Sequence, residues 1–228
     1  MERILNNPIY HALNSGNKNF SQGNDEAQYF PEDVSPLAGL KESSDHELNA
    51  LCRISPRNSF FILFVLAKIQ IPEQWKVVVQ MNILQMVYDN PLPLTPANQD
   101  FVALQEQHVP AMLALTKMTN PGPFLSATIR FGNYKGIFEG SRLIAMAGQR
   151  LKANPYIEVS AVCTHPDHLG KGYAGMLITD QIRDILAESR IPFLHVRSEN
   201  TRGIKLYQKL GFTARKEMIA YGIQKQIM

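Results

Sequence analysis

Residues 165–175 read His-Pro-Asp-His-Leu-Gly-Lys-Gly-Tyr-Ala-Gly, which puts Gly170, Gly172 and Gly175 within six positions. They follow an Ile- and Val-rich strand pattern, Tyr156–Thr164. They precede a helix pattern over 172–190 with Ala174, Ile178, Ile182 and Ile185 on one face. Glycine inside an element costs about 0.5–1 kcal/mol relative to alanine, so the cluster needs a reason. A strand-to-helix junction presents unpaired N–H groups and the positive end of the helix dipole, and bare backbone there can close on an anion. Lys171 adds a charge. A tight turn uses glycines equally well, so this stretch alone does not decide. Two nucleotide motifs fit poorly. A Walker loop needs a hydroxyl residue after its Gly-Lys pair, and Gly172 stands there. Gly170, Gly172 and Gly175 match the dinucleotide fingerprint literally, but Cys163–Leu169 makes a long lead-in, and the acidic residue due about 20 residues on is missing: Glu188 is still in the helix pattern and Glu199 comes too late.

A second block narrows the choice. Asn200, Gly203 and Tyr207 are three and four residues apart, on one face at the start of a helix over Thr201–Lys209 that Gly211 stops. The small residue between Asn and Tyr leaves a groove for a slender chain. Together, "VSAVCTHPDHLGKGYAGMLI" and "HVRSENTRGIKLYQKLGF" resemble the GCN5-related N-acetyltransferases (GNAT), most closely their FR47-like branch. The phosphate loop of that family, [Q/R]-x-x-G-x-[G/A], has its counterpart here in Leu169-Gly170-Lys171-Gly172-Tyr173-Ala174, with Leu169 replacing the usual Gln or Arg. The loss removes a polar side chain but no backbone donor. The resemblance covers residues 100–228 and is strongest over 157–212.

The resemblance implies an α/β fold: a mixed, largely antiparallel twisted sheet flanked by helices. It implies acetyl-coenzyme A as acyl donor and an amine as acceptor, with no metal. The pyrophosphate would lie on Gly170, Lys171, Gly172, Tyr173, Ala174 and Gly175. The peptide-like pantetheine arm would pair with the strand edge at Val162, Cys163 and Thr164 and pass Asn200, Gly203 and Tyr207. Acyl transfer needs a deprotonated amine, a polarised carbonyl and a protonated leaving thiolate. Tyr207, a phenol protonated at neutral pH, is the candidate acid. Glu158, in an otherwise apolar strand, is the candidate base, acting through water, with burial expected to raise its pKa. An ion pair with Arg142 or Arg150 is the alternative role. A backbone N–H near Val162 would polarise the carbonyl. An acyl-cysteine route through Cys163, with His165 as base, is the weaker chemistry. His165 and His168 read as polar loop residues, and Asn200 as a cofactor contact, a helix cap, or both. A non-catalytic coenzyme A-binding or interaction module is the alternative function.

The rest of the chain sets bounds. Of 228 residues 45% are apolar and 19% charged, which fits a folded globular chain. A net charge of +3 is too small to argue for nucleic acid. Two distant cysteines, Cys52 and Cys163, make no disulfide framework. The start "MERILNNPIYHAL" lacks a signal-peptide pattern, and the longest apolar run, 60–67, is far short of the roughly 20 residues of a membrane span. A cytoplasmic protein is expected. Three prolines in "NPLPLTPAN", residues 90–98, suggest a boundary between a poorly defined N-terminal α/β region, 1–92, and an acetyltransferase domain, 93–228. The first region resembles the branch's N-terminal half only faintly, as a degenerate acetyltransferase-like half.

Before the boundary, 14–36 reads as loop, Ser44 and Glu47 as a capping box, and 60–67 and 75–80 as strands. After it come a strand at 101–104, a helix at 110–118, a hairpin of 134–138 and 142–147, a strand at 192–198, and two closing strands, 212–215 and 218–224.

Overall fold

The structure, a computed structural model, describes residues 3–90 and 101–226. The chain runs α1 (Pro8–Leu13), β1 (Gln22–Gly23), β2 (Ala27–Tyr29), β3 (Ala38–Leu40), α2 (Asp45–Ile54), β4 (Phe60–Val65), β5 (Trp75–Tyr88), β6 (Val102–Ala103), α3 (Val109–Thr119), β7 (Lys135–Glu139), β8 (Arg142–Ala153), β9 (Tyr156–Thr164), α4 (Tyr173–Ala187), β10 (Ile191–Arg197), α5 (Thr201–Lys209) and β11 (Phe212–Lys225). Strands β4–β11 form one sheet in the order β4-β11-β5-β10-β9-β8-β7-β6, antiparallel except for the β9–β10 pair. This is the mixed, largely antiparallel α/β architecture expected.

Strand periodicity assigns the faces. Along β8, Met146 joins a core with Leu13 of α1 and Met112 of α3, whereas Ala145 and Ala147 pack with Leu177 of α4. Helices therefore cover both faces. Ile178, Ile182 and Ile185 of α4 are fully buried against Ile157, Val159 and Leu194, as the helical spacing predicts.

The proline-rich boundary lies outside the described residues from 91 onward. Strands β4 and β5, which precede it, pair with β11 and β10 in the common sheet. The stretch 14–36, expected as loop, holds β1 and β2, which form a small sheet with β3. Strands of two or three residues carry too little alternation to be read. The two expected closing strands are one, bent where Ala214↔Met86 passes to Lys216↔Gln85 and leaves Arg215 as an extra residue. The Ser44–Glu47 capping box forms, with Ser44 N donating to Glu47 at 3.0 Å. Among the described residues no helix is long and apolar enough to cross a membrane.

Candidate functional site

The sheet splits where the sequence motifs converge. β9 and β10 pair only at Tyr156↔Ile191, Ile157↔Pro192 and Glu158↔Phe193. Beyond these β10 stays with β5, through His195↔Gln85 to Arg197↔Ile83, while β9 stays with β8, at Cys163↔Met146 and Thr164↔Ala145. The β10-facing edge of β9 is thus left without a strand partner from Val159 onward. A bulge marks the split. Ser160 faces Gly148 and Cys163 faces Met146, so Ala161 and Val162 together oppose Ala147. Ala161 sits at φ 51°, a left-handed conformation that costs a non-glycine residue on the order of 1 kcal/mol and recurs at functional sites.

The open edge leads into the glycine loop. Gly170 (φ 82°) and Gly172 (φ 83°) both need positive φ, with open space where a side chain would stand at Gly170. Gly172 is the N-cap of α4 and supplies no capping side chain. The first-turn amides of Tyr173, Ala174 and Gly175 therefore have no cap, unlike those of α2 and α5. Lys171 is exposed, its Nζ 3.2 Å from His168 Nδ1. Gly175 faces α5, since a Cβ there would lie 3.7 Å from Leu206 Cδ1. That contact brings the exposed cations Arg202, Lys205 and Lys209 of α5 beside the loop. Two buried hydroxyls near the split, Thr164 Oγ1 at the end of β9 and Ser198 Oγ just after β10, have no partner among the described residues.

A cavity of about 270 Å³ fills the wedge. Ser160, Ala161 and Val162 of β9 line it together with Asn200, Tyr207, Leu37, Ile62, Phe64 and the loop from Thr119 to Pro123. Tyr207 is half-buried, edge-on to Phe212 at 6.0 Å, and its hydroxyl has no hydrogen-bond partner among the described residues. Burial, then nearby Cys163, pushes its pKa up to about 12. Asn200 caps α5, its Oδ1 accepting from Gly203 N at 2.9 Å. Gly203 serves that cap and opens no groove: a Cβ there would meet Asn200 Nδ2 at 2.7 Å.

Cys163 shares the strand but not the cavity. Its side chain is buried in the core with Met146, and burial raises its pKa to about 12, only partly offset by a hydrogen bond with Thr119. A thiol so held is a poor nucleophile. His165 and His168 are buried, not surface-loop, residues. His165 Nδ1 accepts from Asp167 N at 3.2 Å, Nε2 meets Arg142, and His168 Nε2 lies 3.6 Å from Glu139. These contacts fix the loop ahead of the glycines.

Glu158 lies beneath the cavity, with no exposed surface. Arg150 Nε and Nη2 donate to its two oxygens at 2.8 Å each, and His195 Nδ1 stands 2.7 Å from Oε1. Burial alone would raise its pKa, as the sequence suggested. Arg150 and His195 reverse that and hold it at about 2. The proton positions follow from the chain of contacts. Arg215 only donates, so the Gln85 oxygen faces Arg215 Nη1, at 2.8 Å. Gln85 Nε2 then donates to Leu5 O at 2.9 Å and to His195 Nε2 at 3.0 Å. His195 is left with its proton on Nδ1, donated to Glu158. The ion pair with Arg150, named as the alternative role of Glu158, is the one the structure has, whereas His195 and Gln85 were missed by sequence reading. Their one signal is polarity inside strands otherwise rich in apolar residues. Among the described residues no cluster of His, Cys, Asp and Glu could hold a metal ion.

Comparison with known proteins gives the same architecture a family. The model of the FR47-like protein family matches residues 134–220. A solved GNAT-family protein from Novosphingobium aromaticivorans is 30% identical, covers 98% of this chain and 99% of its own, and superposes with a TM-score of 0.89. A GCN5-related N-acetyltransferase from Kribbella flavida shares the fold at 14% identity, with 96% and 95% coverage and a TM-score of 0.61. So does a GNAT-family acetyltransferase from Colwellia psychrerythraea, at 15% identity, 88% and 80% coverage and 0.53. A search of curated proteins gave no match. Shared over nearly its whole length with the Novosphingobium protein, the chain belongs to the GNAT superfamily, and its residues 134–220, across the split sheet, are similar to the FR47-like family.

Proposed function

We propose that this protein transfers an acetyl group from acetyl-coenzyme A to a primary amine by direct attack, both substrates being bound together. One observation carries the reading: the unpaired edge of β9 runs from a cavity containing the Tyr207 hydroxyl to the uncapped start of α4. Coenzyme A suits that path at each step. Its diphosphate matches the free amides after Gly172, with Gly170 and Lys171 in the same loop. The cations of α5 suit its further phosphate. Its amide-bearing arm matches the free edge at Val162, Cys163 and Thr164, where Cys163 contributes backbone only.

When bound, acetyl-coenzyme A supplies an activated thioester carbonyl and a thiolate leaving group. A backbone N–H near Val162, at the bulge, would donate to the carbonyl oxygen. The amine enters as the free base, its ammonium proton lost to solvent. The Tyr207 hydroxyl, kept protonated through the neutral range, gives its proton to the departing sulfur and is restored by the N–H proton that the attacking nitrogen sheds. Asn200 holds the start of α5, and with it Tyr207, in place. Glu158 lies outside the cavity lining and stays ionised, so its part is positional: it fixes Arg150 and the His195 tautomer.

The test is thiol release from acetyl-coenzyme A over a panel of amines. Tyr207→Phe is expected to lower turnover about 100-fold while coenzyme A affinity stays within about twofold. A fully active variant removes Tyr207 from the mechanism. Tight coenzyme A binding with no turnover on any amine would leave a binding module instead.

A further inference from the structure

The cavity carries information about the acceptor. Arg150 turns only one side of its guanidinium to Glu158, through Nε and Nη2. Its Nη1 makes no hydrogen bond to any described residue, and it is not among the fully enclosed atoms left without a partner. Arg150 lines both the main cavity and a niche of about 10 Å³ that opens from it. That volume is about one water molecule or one carboxylate oxygen. Ser160 borders both spaces, and its hydroxyl is unbonded. Tyr134 borders the niche; it is 97% buried, counting its 3% exposure, and its hydroxyl also has no partner among the described residues. Three residues with an unspent donor thus line one niche with the loop from Pro121 to Phe124.

Donors left unspent at the edge of a small, partly enclosed space are solvated when it is empty and are free for a ligand that can match them. A guanidinium edge flanked by hydroxyls suits a planar anion with two oxygens, and a carboxylate is the smallest. The same set repels an ammonium, so a bound amine is turned away from Arg150 toward the rest of the cavity, which Tyr207 also lines. Glu158 cannot attract the amine in its place, because Arg150, His195 and the Leu151 N–H already occupy its oxygens. Leu37, Ile62 and Phe64 make the remaining wall apolar. About 270 Å³ shared with the end of the donor leaves room for a small acceptor only.

We propose that the acceptor is a small free amino acid, whose carboxylate is received by Arg150 with the hydroxyls of Ser160 and Tyr134 while its amine faces Tyr207. This rests on the acetyl-transfer reading for its chemistry, but not for its binding site. Peptide N-termini and simple polyamines lack a carboxylate at that distance from the amine and are excluded as preferred acceptors.

The test compares amino acids with their amides and with the matching decarboxylated amines. Two readouts are used: thiol release from acetyl-coenzyme A, and calorimetric binding to the protein with and without coenzyme A. At least one amino acid is expected to exceed its amide and its amine by about 100-fold in kcat/KM, because the neutral analogues leave the donors unpaired. Arg150→Lys keeps a charge against Glu158 and so keeps the fold, but loses the fork; binding of the amino acid should fall at least about tenfold. Tyr134→Phe tests the niche by removing one hydroxyl, and should weaken amino acid binding without changing coenzyme A affinity. Amides or simple amines used as well as the acids, or no amino acid bound at millimolar concentration, overturn the proposal. Amino acid binding without coenzyme A binding would instead overturn acetyl transfer and leave this site standing.

Discussion

Gly172→Asp should reduce coenzyme A affinity by about 100-fold or more, through like-charge repulsion and lost amide donors, while the ligand-free protein unfolds within a few degrees of wild type. The two effects separate because of where Gly172 stands. It is the N-cap of α4 at φ 83°, with no cap on the amides that follow and only Met176 Cε, at 3.8 Å, near the position of a new Cβ. Left-handed backbone costs a side chain about 1–2 kcal/mol, less for Asp and Asn than for others. Against that, a carboxylate at a helix start gains about 0.3–1 kcal/mol from the dipole. The fold therefore loses little. The amides, however, now face a carboxylate of the protein's own, and a diphosphate must displace it against repulsion. Calorimetry with coenzyme A, paired with melting curves of the ligand-free protein, checks both halves. Gly172→Ala adds the strain without the charge and should fall between. Undiminished affinity in the Asp variant would place the phosphates elsewhere and remove the basis of the proposed function.

The sequence carried the parts of the fold that local chemistry dictates. The Ile face of α4, the Ser44–Glu47 box and the strand from Tyr156 to Thr164 are stated by spacing and residue type within one element, and the structure has them. What it did not carry is pairing. β5 lies between β10 and β11, partners more than 100 residues away, as Leu194↔Met86 and Met218↔Ile83 show. No local pattern encodes such a choice. The bend at Arg215 is likewise a product of pairing: it makes one strand look like two, and places Arg215 to donate to Gln85 and to Asn6 Oδ1 at 2.8 Å.

The site divides in the same way. The glycine loop and the Asn200–Tyr207 face are contiguous motifs, so their residues could be named in advance. Arg150 and Gln85 are polar residues in strands, and what they do depends on a partner across the sheet. The assignment for Glu158 turned on that partner. Burial was legible in its apolar strand, and an arginine pair was among its possible roles, but not the two-point Arg150 contact and the His195 N–H that outweigh burial, so the direction of its pKa shift came out reversed.

Glu158→Gln carries the largest expected effect on stability. A buried Arg150 left without its counter-charge typically costs about 3–5 kcal/mol, and that loss is expected at pH 7. The sign with pH follows from the depressed pKa. A carboxyl at about 2 in the folded protein and 4.5 in the unfolded chain adds stability above pH 4.5 and loses it as pH falls toward 2. Integrated over that shift the contribution is about 3 kcal/mol. The stability gap between wild type and Glu158→Gln should therefore be full at pH 7 and narrow steadily below pH 4.5, where wild type also carries a neutral side chain. Denaturant unfolding of both proteins from pH 7 down to about 3 reads it directly. The double variant Arg150→Met, Glu158→Gln removes the orphaned cation as well and should recover much of the loss, while abolishing the carboxylate site proposed for the acceptor. Recovery of stability without recovery of amino acid binding would separate the two duties of Arg150: one guanidinium edge holding the sheet together at its split, the other facing the substrate. A gap that stays constant across the acid range would mean that the Glu158 carboxyl titrates alike in the folded and unfolded chains, and the hold of Arg150 and His195 on it would have to be redrawn.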